Sequence, residues 1–215
     1  MKKIMPTPKR VCDKLNFTHT SFNYAKIRTV KVRIISGSLG GRLIDTPPRR
    51  STHVMGDRVR SALFNILGDR VRDAEVLDAF AGSGAVGIEA ISRGAKSAVF
   101  IEKNRVAAGI IVKNTTDLAI SQKTKVIQAT LSNWLATTKV EDAQFDVIFA
   151  DPPYYDPQFS TSLKLVGLLK PNGIMVLSYP GSMCVPTVTG VVVVDNRKYG
   201  EAGLAFFRKK KEAAK

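Results

Sequence analysis

Residues 77–87 read LDAFAGSGAVG. An apolar run enters a glycine turn, and the turn opens a helix. Gly82, Gly84 and Gly87 give the spacing G-x-G-x-x-G, which lets a backbone turn tightly and approach a ligand closely. The flanks agree: EVLDAF reads as a strand, GAVGIEAISR as a helix stopped by Gly94, and SAVFIE as a second strand. That strand ends on Glu102, twenty-four residues after Asp78. A carboxylate there can accept both hydroxyls of a ribose. The pattern leaves three options open: a nicotinamide dinucleotide, S-adenosylmethionine held by its methionine portion, or a tight turn with no ligand. Two details favour S-adenosylmethionine. Asp78, at the strand end, can order the loop or meet an ammonium group, and Phe80 and Ala81 offer an apolar wall.

Downstream the alternation continues. KVIQA is a strand followed by a short helical turn around Asn133–Ala136. FDVIFA is a strand, SLKLVGLL a helix ended by KPNG, and GIMVLS, VVVV and GLAFF are later strands. Strands alternating with helices predict an α/β fold, a parallel sheet covered on both faces. Upstream, VRIIS and RLIDTPP around GSLGG read as a β-hairpin closed by Pro47 and Pro48. DRVRSALFNIL follows, with Val59, Ala62, Leu63, Ile66 and Leu67 at helical spacing, Asp57 as the expected N-cap and Gly68 as the stop. Arg58, Arg60 and Asn65 fall on its other faces, which reads as a solvated surface.

The segment 151–155, DPPYY, ends the strand FDVIFA. Two prolines cannot continue a ladder. In a doubly wound sheet ligands sit beyond the carboxyl ends of the strands, so Asp151 should face Gly82 and Gly84. The arrangement suits methylation of an exocyclic amine on a nucleobase. Such a nitrogen is planar, its lone pair delocalised. Two acceptors, the Asp151 carboxylate and the Pro152 carbonyl, can hold its two N–H groups and turn the lone pair outward. Pro153 stiffens the carbonyl's direction, and Tyr154 offers a ring for the base to stack on, worth about 1–3 kcal/mol. Tyr155 has no assigned role.

Composition sets limits. The chain has 215 residues, enough for one α/β domain. No apolar run approaches the ~20 residues of a membrane span, and the N-terminus lacks a signal peptide's apolar stretch. Cys12 and Cys184, with no CxxC, and two scattered histidines, His19 and His53, predict no metal site and a reducing, cytoplasmic setting. Of the net charge of +15, residues 1–29 hold +6 and 208–215 hold +4. These are the expected arm (1–29) and tail (209–215) flanking a domain at 30–208, with residues 30–56 as its hairpin extension. Basic ends of this kind suit a polyanion gripped through its phosphates.

Together these residues resemble the RsmD family of bacterial 16S rRNA guanine-N2 methyltransferases. The segments are VRIISGSLGGRLIDTP, GDRVRSALFNILGD, LDAFAGSGAVGIEAISRGA, VFIEKN, FDVIFADPPY, LLKPNGIMVLS and RKYGEAGLAFFRK, spanning about residues 31–208. The resemblance implies a Rossmann-like class I methyltransferase fold, with a seven-stranded, mostly parallel sheet whose last strand is reversed. It implies S-adenosylmethionine as donor and one guanine as acceptor, position 966 in the usual 16S numbering, on a small ribosomal subunit or assembly intermediate. Asp78, Phe80, Ala81, Gly82, Gly84 and Glu102 match the cofactor motif; Asp151, Pro152 and Tyr154 match the catalytic motif. Arg58 and Arg60 match a helix segment expected to contact cofactor or RNA. The chain departs from the family at Thr130, which stands where an acid would bind the adenine amine and can still offer a hydroxyl. It departs also at Val54, in place of a proline, and at SYPG 178–181, in place of a Glu-His pair.

The expectation is a monomeric rRNA guanine methyltransferase. Two alternatives are a DNA adenine or cytosine amino-methyltransferase, for which 215 residues leave no large target-recognition domain, and an RNA-binding assembly factor without catalysis.

Overall fold

The computed structural model describes residues 30–47, 55–139, 143–156, 158–185 and 191–209. The arm 1–29, Pro48, Val54, Cys12, both histidines and the tail beyond Lys209 lie outside the described residues.

Seven strands form one sheet: β3 (Glu75–Asp78), β4 (Ser97–Glu102), β5 (Thr124–Gln128), β6 (Phe145–Ala150), β7 (Leu169–Pro180), β8 (Val191–Tyr199) and β9 (Ala202–Lys209). Their spatial order is β5-β4-β3-β6-β7-β9-β8. The first five run parallel, and β9 is antiparallel to both β7 and β8. β3 and β6 are apolar along their middles, at Val76–Leu77 and Val147–Ala150, because helices cover both faces of a parallel sheet. One layer packs Phe64, Val76, Phe100, Val147 and Phe149; the other packs Leu77, Ile101, Ile148, Leu177 and Phe207. From β3 the chain moves outward one way to β4 and β5, then returns to β6 on the other side. This is the Rossmann-like class I methyltransferase topology, with its switch point between β3 and β6.

The helices are α1 (Asp57–Leu67), α2 (Ala85–Ser92), α3 (Arg105–Asp117), α4 (Leu131–Thr137) and α5 (Phe159–Lys164). α5 is shorter than the expected helix: Leu165–Leu168 tighten into a 3₁₀ turn, and β7 already begins at Leu169, taking in the KPNG segment.

Two expectations for α1 need correction. Gly56, not Asp57, occupies the N-cap, and no side chain caps there; Asp57 is the first helical residue, where its charge suits the helix dipole. Gly68 does end the helix, at φ 54°. Arg60 does not lie on a solvated face. It is fully buried and donates to Arg33 O (2.6 Å), Met55 O (3.2 Å) and Asp57 Oδ1 (3.1 Å). Its Nε stands 3.9 Å from the buried Glu89 carboxylate of α2. Helical spacing counts apolar residues and so misses a buried ion network.

The hairpin of β1 (Val30–Arg33) and β2 (Leu43–Thr46) pairs antiparallel, with its own two-stranded sheet. It lies against α2 and α3. Glu89 accepts the Ile35 and Ser36 amides at 2.7 and 3.0 Å, and also Arg93 Nε at 2.8 Å. Ser92 Oγ accepts the Leu39 amide at 2.9 Å. Ile34 and Ile44 enter the same core as Phe64.

Candidate active site

The glycine loop leaves the end of β3 at the switch point. Asp78 is the last residue of that strand, and its Oδ2 accepts the Gly87 amide at 3.0 Å. The carboxylate therefore ties the strand to the first turn of α2 across the loop. Gly84, the residue before α2, has φ +79°, a left-handed conformation that glycine adopts without penalty. Gly87 serves close packing: a Cβ there would lie 2.3 Å from Phe100 Cε1 of β4. Ala81 is buried, and Phe80 is half-buried against the second core layer.

Glu102 ends β4 beside the loop. Its Oε2 accepts the Gly82 amide at 2.8 Å and its Oε1 the Asn104 amide at 2.7 Å. Asn104 in turn caps α3, its Oδ1 accepting from Val106 and Ala107 at 2.9 and 3.1 Å. Backbone bonds stitch the neighbouring strand ends: Ala79 N–H to Phe149 O at 2.9 Å, Ala81 N–H to Ile101 O at 3.0 Å, Ala129 N–H to Glu102 O at 3.2 Å.

Asp151 follows β6 directly. Pro152 is buried, and the Asp156 amide donates to Pro153 O at 2.9 Å, closing a turn around Tyr154 and Tyr155 directly after the proline pair. Tyr154 is half-buried, and its hydroxyl lies 3.1 Å from Ser178 Oγ of β7. Burial raises its phenol pKa. Tyr155 is 87 % exposed. Thr130 stands just past β5, exposed, its Oγ1 accepting the Asn133 amide at 3.2 Å as the N-cap of α4.

The candidate residues thus fall in sheet order along the carboxyl ends of the strands: Thr130 after β5, Glu102 on β4, Asp78 on β3, Asp151 after β6. Burial pushes the Asp78 carboxyl up to about 7, the Gly87 amide opposes this, and the negative charges of Asp151 and Glu102 add to it. Burial also raises Glu102, against the pull of the Asn104 and Gly82 amides. A buried carboxyl at Asp78 that feels the charges of Asp151 and Glu102 beside a sheltered loop suits a cationic ligand, which relieves the repulsion. Among the described residues no cluster of His, Cys, Asp and Glu suits a metal ion. Arg58 is exposed on α1, whereas the buried Arg60 is spent on the hairpin. An open cleft of about 270 Å³ lined by Arg70, Arg72, Asp73 and Asn172 lies at the opposite ends of the strands.

Two site residues escaped the sequence reading. Asn104 carried a readable signal, an Asn directly ahead of a helical run. Ser178 carried none, because nothing in SYPG says that it reaches Tyr154.

Comparison with known proteins agrees with this geometry. The model of the family described as conserved hypothetical protein 95 matches residues 32–208. The ribosomal RNA small subunit methyltransferase D of Haemophilus influenzae is 35 % identical over 149 residues, covering 67 % of this chain and 77 % of that protein. Its Escherichia coli namesake is 34 % identical over 143 residues, covering 66 % and 69 %. Among solved structures, yhhF of Escherichia coli, a candidate methyltransferase, has a TM-score of 0.76 at 28 % identity, covering 85 % of this chain and all of that one. A hypothetical protein of Thermus thermophilus has a TM-score of 0.71 at 32 % identity, covering 81 % and 98 %. With a family model spanning most of its length and relatives of this identity, the chain belongs to the conserved hypothetical protein 95 family, the RsmD family of methyltransferases.

Proposed function

We propose that this protein methylates the exocyclic N2 amine of a guanine in 16S rRNA, using S-adenosylmethionine, on a small ribosomal subunit or an assembly intermediate. The observation that carries the reading is the row of carboxylates Glu102, Asp78 and Asp151 on adjacent strand ends, around a loop built for close backbone approach. S-adenosylmethionine supplies an electrophilic methyl group on a sulfonium and also carries an ammonium, so its charge matches the site. Phe80, Ala81, Gly82 and Gly84 would line its methionine portion, Asp78 would meet the ammonium, Glu102 the ribose hydroxyls, and the Thr130 hydroxyl the adenine. Glu102 keeps lone pairs for that role beyond the two amides it accepts.

Asp151 and the Pro152 carbonyl accept the two N–H groups of the guanine amine and hold it in line for attack, where orientation supplies much of the rate. Tyr154, steadied by Ser178, stacks on the base. Asp151 or water takes the proton that the nitrogen loses. A stacked or paired guanine must be flipped out first. The names of the Haemophilus influenzae and Escherichia coli relatives support ribosomal RNA of the small subunit as substrate. No described helix is long and apolar enough to cross a membrane. A cytoplasmic monomer acting on ribosomal particles completes the reading.

The test is transfer of labelled methyl to unmodified 30S subunits, naked 16S rRNA and duplex DNA side by side, followed by nucleoside identification. N2-methylguanosine from a ribosomal substrate is the expected result. Methyladenine or methylcytosine in DNA would overturn the substrate, cofactor binding without transfer to any of them would point to a substrate not among the three, and no cofactor binding would revive the inactive assembly factor.

A further inference from the structure

Asn114 lies near the end of α3, buried, and its side chain makes three hydrogen bonds, one accepted by Oδ1 and two donated by Nδ2. Its Oδ1 accepts the Asp45 amide of β2 at 2.9 Å, and its Nδ2 donates to the Asp45 carbonyl at 2.8 Å. These are the two bonds a neighbouring strand would make, so one helical side chain stands in as the edge partner of the hairpin. The second Nδ2 hydrogen goes to the carbonyl of Ser83 at 3.2 Å. Ser83 lies between Gly82 and Gly84, in the middle of the glycine loop.

The loop is otherwise tied through the Gly82 amide to Glu102 and through the Gly84 amide to Ala81 O at 2.7 Å. The direction of the Ser83 peptide is thus set by an amide whose own orientation is set by β2. A primary amide has two N–H donors and one acceptor oxygen, so it cannot turn to serve one partner without releasing another. Farther along the hairpin, Glu89 and Ser92 hold the turn side on α2, the helix that the loop opens. The hairpin therefore clamps both helices that flank the loop.

We propose that Asn114 is a positioning residue that couples the hairpin to the cofactor loop: docking of the hairpin orders the loop for its ligand, and ligand in the loop tightens the hairpin. The inference rests on the reading of this loop as an S-adenosylmethionine site. The coupling is reciprocal, because both effects report one free energy.

Two measurements on the full chain test it. In the first, calorimetry gives the S-adenosylmethionine dissociation constant of the wild type, Asn114→Ala and Ser92→Ala. Asn114→Ala should weaken binding about tenfold, the consequence of leaving buried groups unpaired. It should raise KM for the cofactor while kcat and KM for RNA stay within about twofold. Ser92→Ala loosens the hairpin only at its turn, where Ser92 holds the Leu39 amide, and leaves the Asn114 bonds to Asp45 and Ser83 in place, so it should lower the melting temperature while weakening binding clearly less than Asn114→Ala does. In the second, amide exchange of the wild type is followed with and without saturating S-adenosylmethionine, which requires no variant to fold. Exchange at Asp45 should slow more than at the amides of β8, which share only global stabilisation. If both variants lower the melting temperature alike with unchanged affinity, and Asp45 is protected no more than β8, Asn114 is merely structural and the coupling is wrong. If the wild type binds no S-adenosylmethionine, the proposed function falls together with the coupling.

Discussion

At the scale of single residues, the site sets carboxylates to different tasks by environment. Asp151 follows its strand half-buried beside a stiff proline pair, in reach of an incoming base. Replacing it with Ala should cut methyl transfer by about 10²–10³-fold, the usual cost of removing one preorganised polar group, while cofactor and RNA binding survive. Single-turnover transfer beside direct binding measurements checks this; loss of cofactor binding would contradict the role. Asp78 is fully enclosed, and its carboxyl titrates at about 7, well above the ordinary 3.8. Its charge therefore opposes folding: the contribution is most favourable below pH 4 and is lost as pH rises through about 7. Asp78→Asn should flatten that decline in melting temperature between pH 4 and 8. A cationic ligand prefers the ionised carboxylate, so S-adenosylmethionine affinity in the wild type should rise from pH 5.5 to 7 by roughly tenfold per unit at most, then level off. The Asn variant should lose both the pH dependence and much of the affinity. Calorimetry across this range, in buffers of differing ionisation enthalpy, would also count the proton released.

At the scale of elements, the contacts that matter join pieces remote in sequence. Glu89 of α2 holds two hairpin amides and faces both Arg60 and Arg93, with Arg93 also lying 4.9 Å over the Phe64 ring. Glu89→Gln keeps the shape but leaves Arg60 with less compensation in a dry place. It should cost about 3–5 kcal/mol in urea unfolding, since breaking a buried charge network is far more expensive than losing a surface pair. An unchanged midpoint would show that Arg60 is satisfied by carbonyls and Asp57 alone. β7 contributes differently. Its Ser178 meets the Tyr154 hydroxyl, so Ser178→Ala should free the ring at a cost of about 1 kcal/mol, roughly fivefold in kcat with RNA, and leave cofactor affinity alone.

At the scale of the whole molecule, charge and topology divide the work. The sheet order places every candidate side chain at one end of the strands, and most of the +15 net charge sits in terminal segments. If residues 1–29 grip phosphates, removing their +6 should weaken RNA binding uniformly across sequences and flatten the plot of log affinity against log salt by several units. An unchanged slope after truncation would make the arm a bystander.

The sequence by itself determined the fold class and the positions of the candidate residues, because those signals are local. Strand–glycine–helix at 77–87, an acid closing the next strand and a proline pair closing another are each written in consecutive residues and depend only on backbone geometry. Even the reversed last strand followed from the resemblance those segments carry. What only the tertiary structure decided is which polar groups find each other. The burial of Arg60, the meeting of Tyr154 with Ser178, and the grip of Asn114 on both Asp45 and Ser83 join residues separated by 24 to 69 positions, or hide a charge inside an apolar face. Such contacts leave no periodic trace, since a buried hydrogen bond constrains distance and direction in space and places no demand on spacing along the chain.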